Sequence, residues 1–171
     1  MTNTAFEMGK LSQKKFDLAI NVGIAGAFNK DLSIGQVVTV KKDIFSELGA
    51  EDDAKFISAD KLNLLNPIIT PKKRATYNIL KKLKSVTAIS VNTVHGHTPS
   101  IKKVQALYKP DIESMEGAAF FDACNKNKWQ CIQLRSISNY VEKRNKDKWN
   151  IPLSIQTLNN FLTSFINDLS A

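Results

Sequence analysis

Four short runs of apolar and β-branched residues, at 18–22, 37–40, 86–91 and 131–137, stand out from a chain of otherwise mixed polarity. Runs of that length without strict alternation predict strands covered on both faces. Between them lie Thr70-Pro71 and Thr98-Pro99, each pairing a residue that can cap a helix with one suited to its first turn, and they predict helix starts. Strands alternating with helices imply an α/β sheet. Near the end Ile155, Leu158, Leu162, Phe165, Ile166 and Leu169 recur at spacings of three and four. That period predicts an amphipathic helix laid against the sheet, beginning after the turn at Ile151-Pro152. Residues 43–67 mix charges with weak periodicity and read as an irregular excursion, able to shape a ligand pocket or a subunit contact.

Length and composition narrow the class. At 171 residues, with 43% hydrophobic and 23% charged and no linker-like stretch, the chain is expected to form one domain over residues 1–171. No window approaches a membrane span and the start, MTNTAFEMGK, lacks a signal-peptide pattern, so a cytoplasmic protein without membrane contact is expected. Cys124 and Cys131 fit neither a redox motif nor a zinc pair and read as reduced, partly buried thiols. The net charge of +8 raises the question of nucleic acid. Only Arg74, Arg135 and Arg144 are arginines, and the lysines are scattered without interleaved aromatics, so a solvated basic surface is expected instead.

Four segments have the composition of a site. In NVGIAGAF, residues 21–28, small residues end a strand and let a ligand approach backbone amides, although a tight glycine turn explains them equally well. In IESMEGAAFF, residues 112–121, Ser114 can cap a helix whose first turn holds Glu116. That carboxylate either complements the helix dipole or accepts hydrogen bonds from a vicinal diol. In CIQLRSISNYVEKRNKDKWNIP, residues 131–152, a strand runs into Ser138, Asn139 and Tyr140. Asn139 closes an Asx turn or meets the edge of a heterocycle, for which its amide has both donors and an acceptor. In VNTVHGHTPS, residues 91–100, His95 and His97 have no companion at metal-ligand spacing and read as loop residues at a pocket mouth.

Taken in order, GIAGAF, VNTVHG, SMEGAAFF and RSISNYVEKRNKDKWNIP resemble the purine nucleosidase and nucleoside phosphorylase superfamily, and within it the futalosine hydrolases. SMEGAA is similar to the ribose-binding motif of the superfamily and RSISN to its purine-binding motif, while the extension through KWNIP is the part most specific to futalosine hydrolases. The resemblance implies a single-domain, three-layer nucleoside phosphorylase-like α/β fold with a central mixed sheet flanked by helices. It also implies hydrolysis of futalosine to hypoxanthine and dehypoxanthine futalosine, in the route to menaquinone, without cofactor or metal. Glu116 and Asn139 would carry the catalytic work, Glu116 on the ribose hydroxyls and Asn139 on the purine. Ile24, Ala25, Gly26, Val94, His95, Ser114, Met115, Arg135 and Ser138 would complete the nucleoside pocket. Pairing with a second copy in a homo-oligomer is implied too.

Two departures from the family pattern carry expectations of their own. Methylthioadenosine nucleosidases have Asp where this chain has Asn139. An amide donates to O6 of hypoxanthine while its carbonyl accepts from a protonated N7, which favours a 6-oxopurine. The start, MTNTAF, resembles a segment that in the family follows a glycine-rich turn. An N-terminally truncated fold is therefore expected, lacking the opening strand and the carboxylate that activates water, with an apolar strand edge left open at residues 18–22. Three alternatives stand beside the leading reading: another 6-oxopurine nucleosidase or phosphorylase, an inactive purine-binding module, and, more distantly, a basic nucleic-acid binder.

Overall fold

A computed structural model describes residues 1–170; Ala171, the last residue of the expected 1–171 span, lies outside them. In chain order the elements are α1 (Thr2–Lys10), β1 (Ala19–Ala27), β2 (Val37–Phe45), β3 (Gly49–Asp52), β4 (Lys55–Ser58) and β5 (Ile68–Ile69). There follow α2 (Asn78–Lys81), β6 (Lys84–Ser90), α3 (Thr98–Tyr108), β7 (Ile112–Ser114), α4 (Gly117–Asn127), β8 (Cys131–Tyr140) and α5 (Ile151–Ser170). Leu18 and Val91 aside, the four apolar runs lie on strands, and two of those strands, β1 and β8, continue past the run's end into residues that line the site.

The strands β2, β6, β7, β1 and β8 stand side by side in that order, and β8 returns to pair with β2. The mixed sheet thus closes on itself, with β5 appended to the outer part of β2. Pairing is parallel for β1–β8, β2–β6 and β6–β7, and antiparallel for β1–β7 and β2–β8. β7 meets β1 only at Gly26 and Ala27, so among the described residues the rest of β1 is paired on its β8 side alone. Val22, on that stretch, is 41% exposed.

Helices cover the sheet in three patches. Phe120, Phe121 and Cys124 of α4 pack on Val38, Val40, Val86 and Ile137, with Met8 of α1 beside them. Leu158 and Phe165 of α5 pack on Ile132 and Leu134. Ile101 and Val104 of α3 pack on Ile89, Val91 and Phe28. The apolar stripe predicted for the last helix is therefore only partly inward: Ile155, Ile166 and Leu169 are exposed, because a helix on a curved sheet buries a narrower strip than its sequence period offers.

Other local expectations change. Thr98-Pro99 does open α3, with Thr98 inside the first turn and His97 rather than Thr98 at the N-cap, but Thr70-Pro71 simply follows β5, and the next helix begins at Asn78. The 43–67 excursion is more ordered than its pattern suggests, since β2 runs on to Phe45 and β3 pairs with β4 as a hairpin. The glycine turn is absent: β1 stays extended through Ala27, and Gly23 and Gly26 do not have positive φ, whereas Gly35 does. Ser114 does not cap α4. It still belongs to β7, opposite Ser90, and the N-cap position falls to Glu116. Cys124 and Cys131 are fully buried rather than partly so, and their mutual hydrogen bond, with burial, pushes the Cys124 thiol up.

Candidate active site

The last residues of β1, β7 and β8 converge around one position without a side chain. Gly26 pairs with Glu113 of β7 on one side and with Asn139 of β8 on the other. The register of β8 slips by one residue here, because Ala25 faces Ile137 and Gly26 faces Asn139, which leaves Ser138 as the extra residue of a β-bulge. Such a bulge re-aims side chains. It keeps Ile137 in the core while turning Asn139 toward Gly26. A Cβ at Gly26 would lie 3.2 Å from Asn139 Nδ2 and 3.0 Å from Val141 Cγ2, so the glycine is what leaves space between the two neighbours. Ser138 Oγ lies 3.2 Å from Ala25 O and 2.8 Å from Asn139 Oδ1.

Around this centre opens a cleft of about 220 Å³. Of the residues expected in a nucleoside site, Ile24, Ala25 and Gly26 supply one wall, Val94 and His95 another, and Ser114, Met115 and Glu116 a third, with Ser138 and Asn139 between. Ser114 is buried and its hydroxyl has no protein partner, an unmet polar group on the cleft wall.

Arg135 is the exception. It lies outside that lining, fully buried, with its guanidinium 3.7 Å from the Cβ position of Gly23. Nη1 donates to Leu134 O at 2.9 Å and to Asn21 O at 3.4 Å, Nη2 donates to Asn21 Oδ1, and the same Nη2 lies 3.7 Å from Glu116 Oε2. Burial lowers the Arg135 pKa, while the charges of Asp43 and Glu116 oppose that shift. The arginine thus acts from behind the wall, on the carboxylate that faces the cleft.

Glu116 itself is half-exposed, at the N-cap of α4, and accepts from its neighbour's amide, Met115 N, at 3.3 Å. The helix behind it rests on a buried polar cluster that the sequence pattern conceals. Asp43, fully buried on β2, accepts from Gln133 Nε2 at 2.9 Å and from Ser90 Oγ at 3.0 Å. Ser90 Oγ in turn accepts from Ala118 N of α4 at 2.9 Å. Burial pushes the Asp43 carboxyl up, against the opposing hydrogen bonds and the Arg135 charge. Gly117 sits directly on this cluster; a Cβ there would collide with the Asp43 carboxylate and the Gln133 amide.

Residue-level reading missed several members of the cleft, among them Glu113, Glu142, Arg144 and Trp149. Arg144 lies over the Trp149 ring, 5.4 Å from its centroid, and its Cβ is 3.3 Å from the Cβ position of Gly96, so the 141–149 loop abuts the histidine loop. The charged residue inside IESME was the available signal for Glu113, since a carboxylate between strand residues must find a partner. His97 stands away from the cleft as the exposed N-cap residue of α3.

Two curated futalosine hydrolases, from Streptomyces coelicolor and Acidothermus cellulolyticus, are 23% and 26% identical to the chain over 156 residues, 86% of it. The chain spans 64% of the length of each. Among solved structures, futalosine hydrolase of Helicobacter pylori superposes with a TM-score of 0.80 at 17% identity, covering 98% of this chain and 75% of that one. The 5′-methylthioadenosine nucleosidase of Arabidopsis thaliana gives 0.74 at 22% identity, covering 96% and 66%. The nucleoside phosphorylase-like mixed sheet flanked by helices is therefore this chain's fold. A family model described as the phosphorylase superfamily matches residues 1–167, and the chain belongs to that superfamily.

Proposed function

We propose that this chain carries the site for hydrolysis of the C–N glycosidic bond of a 6-oxopurine nucleoside, with futalosine as substrate and hypoxanthine as the released base. The observation that carries the reading is the meeting of Glu116 with Ser138 and Asn139 in one cleft around Gly26. Cleavage of such a bond makes the sugar oxocarbenium-like while negative charge gathers on the departing base. Glu116, half-exposed and held toward Arg135, accepts hydrogen bonds from the ribose hydroxyls, with Met115 beneath the sugar. The amide of Asn139 donates to O6, and its carbonyl accepts from the protonated N7 of the leaving base. The names of the two curated relatives support futalosine as the substrate.

Water rather than phosphate is supported as the acceptor by the names of the two curated relatives, both hydrolases. Arg135 does not distinguish the two, being buried and engaged by Asn21 and Glu116. Hypoxanthine release from futalosine, followed by chromatography with and without phosphate, tests both points, and the rate is expected to be indifferent to phosphate. Glu116→Ala is expected to lower kcat/KM by roughly 10²-fold or more, since hydroxyl contacts tighten in the transition state. Near-normal hydrolysis by that variant would sink the assignment.

A further inference from the structure

We propose that Glu113 and His95 are the specificity pair of the cleft: Glu113 holds His95 so that its Nε2 accepts a hydrogen bond from N1–H of a bound 6-oxopurine. This rests on the purine reading above and adds the group that separates 6-oxo from 6-amino bases.

Glu113 is 4% exposed, and both of its oxygens turn to one residue. Oε1 accepts from the backbone N–H of His95 at 3.0 Å, and Oε2 lies 2.7 Å from His95 Nδ1. A carboxylate only accepts, so Nδ1 carries the hydrogen, and in the neutral ring the lone pair is left on Nε2. The Phe28 ring meets the imidazole edge-on at 6.1 Å between centroids and holds its plane. Glu113 is thus a positioning residue, and Nε2 is the atom it presents.

The place of the pair makes that lone pair useful. Gly26 has Glu113 as its neighbour on one strand and Asn139 on the other, and around the place its side chain would take stand Asn139 Nδ2 at 3.2 Å and Glu113 Cγ at 3.5 Å, with Val141 Cγ2 at 3.0 Å, so the amide and the carboxylate that holds His95 are near neighbours on one wall. A base whose O6 and N7 face Asn139 turns N1, the ring atom next to O6, toward the adjoining wall. In a 6-oxopurine N1 bears a hydrogen; in a 6-aminopurine it bears a lone pair.

Asn139 reads O6 and N7 but not N1: its Nδ2 donates to Tyr140 O at 3.1 Å and its Oδ1 accepts from Ser138 Oγ at 2.8 Å, which fixes the amide toward one edge of the base. The imidazole, tied to Glu113 at two points, reads the adjoining edge. A 6-aminopurine would set lone pair against lone pair and leave Nε2 unsatisfied, a loss of the order of tenfold or more in affinity.

The test is nitrogen-15 NMR of histidine-labelled protein at pH 8, with free hypoxanthine or adenine added. His95 is expected as the Nδ1–H tautomer, with a Nε2 resonance that moves on adding hypoxanthine and responds little to adenine. In Glu113→Gln the new amide donates to Nδ1, the ring switches to the Nε2–H tautomer, and the preference for hypoxanthine falls about tenfold or inverts. His95→Phe, which keeps a ring against Phe28 but has no Nε2, is expected to lose the preference while still binding purines, and it serves if Glu113→Gln does not fold. A wild-type Nε2–H tautomer, a Nε2 resonance indifferent to bound hypoxanthine, or unchanged preference in the variants would each overturn the proposal. Futalosine left intact while hypoxanthine still moves Nε2 would count against the hydrolase reading alone and support this one.

Discussion

Replacing Gly117 by alanine probes the support on which the site rests. The added methyl group points at Asp43 and Gln133, both fully buried and hydrogen-bonded to each other at 2.9 Å. Neither can swing into solvent. Overpacking a filled interior costs about 1–3 kcal/mol. Parting Gln133 from the Asp43 carboxylate forfeits a charge-assisted bond of about 1.5–3 kcal/mol. Relief of glycine's backbone entropy returns about 0.5–1 kcal/mol at most. The net loss is roughly 2–5 kcal/mol, against a total stability of about 5–15 kcal/mol for an ordinary domain. With a urea dependence of about 1–3 kcal/mol per molar, the unfolding midpoint is expected to drop by about 1–2 M. Circular dichroism in urea measures this, with Gly9→Ala in α1 as control, where nothing lies within 4 Å of the new Cβ and a small gain is expected. A Gly117→Ala midpoint within about 0.3 M of the parent would refute the idea that α4 is seated on a rigid polar cluster.

Three further outcomes follow from the same geometry. Gly26→Ala places a Cβ 3.2 Å from Asn139 Nδ2 and 3.0 Å from Val141 Cγ2, so KM for futalosine is expected to rise about tenfold, a loss near 1.4 kcal/mol, with kcat changed less; steady-state kinetics decide it. Glu142 is bonded to Lys148 Nζ at 3.1 Å and Lys30 Nζ at 3.2 Å, and these lysines hold its carboxyl below the ordinary value of 4.5. A depressed carboxylate stabilises the fold above its unfolded pKa and loses that effect as pH falls through the folded one. The melting difference between parent and Glu142→Gln should therefore be full near neutrality, close in acid below the ordinary value, and shrink in concentrated salt. Phe165→Ala removes a fully buried ring packed 5.3 Å from Tyr77 and 6.4 Å from Phe161, and thermal melts should report a loss of about 3–5 kcal/mol, whereas Ile155→Ala, at a site 48% exposed, should change stability by about 0.5 kcal/mol or less.

Much of the site was legible in the linear sequence because it is built from contiguous segments. GIAGAF, SMEGAAFF and RSISN each bring their residues to the cleft by local geometry alone, as the ends of strands or the start of a helix. The strands themselves were legible because β-branched runs favour extended backbone, and α5 because its apolar period suits one face. Boundaries were less legible. Ser114 looked like a cap and is the end of a strand, since pairing with Ser90 outweighs its capping propensity.

What only the tertiary structure decided is which distant residues meet. That β8 closes the sheet against β2, that Asp43 lies beneath α4, 74 positions upstream of Gly117, and that Arg135 works from behind the wall all depend on pairings across long loops. Glu113 and His95 face each other across 18 positions, brought together by the loop after β6 and by β7. A side-chain period tells which face a residue takes, not which strand lies opposite. That choice rests on the summed burial and hydrogen bonding of the whole sheet, to which no local segment holds the key. The chemical groups of the candidate site are therefore written in the sequence, while their partners, and with them the orientation of each reactive atom, are set by how the sheet closes.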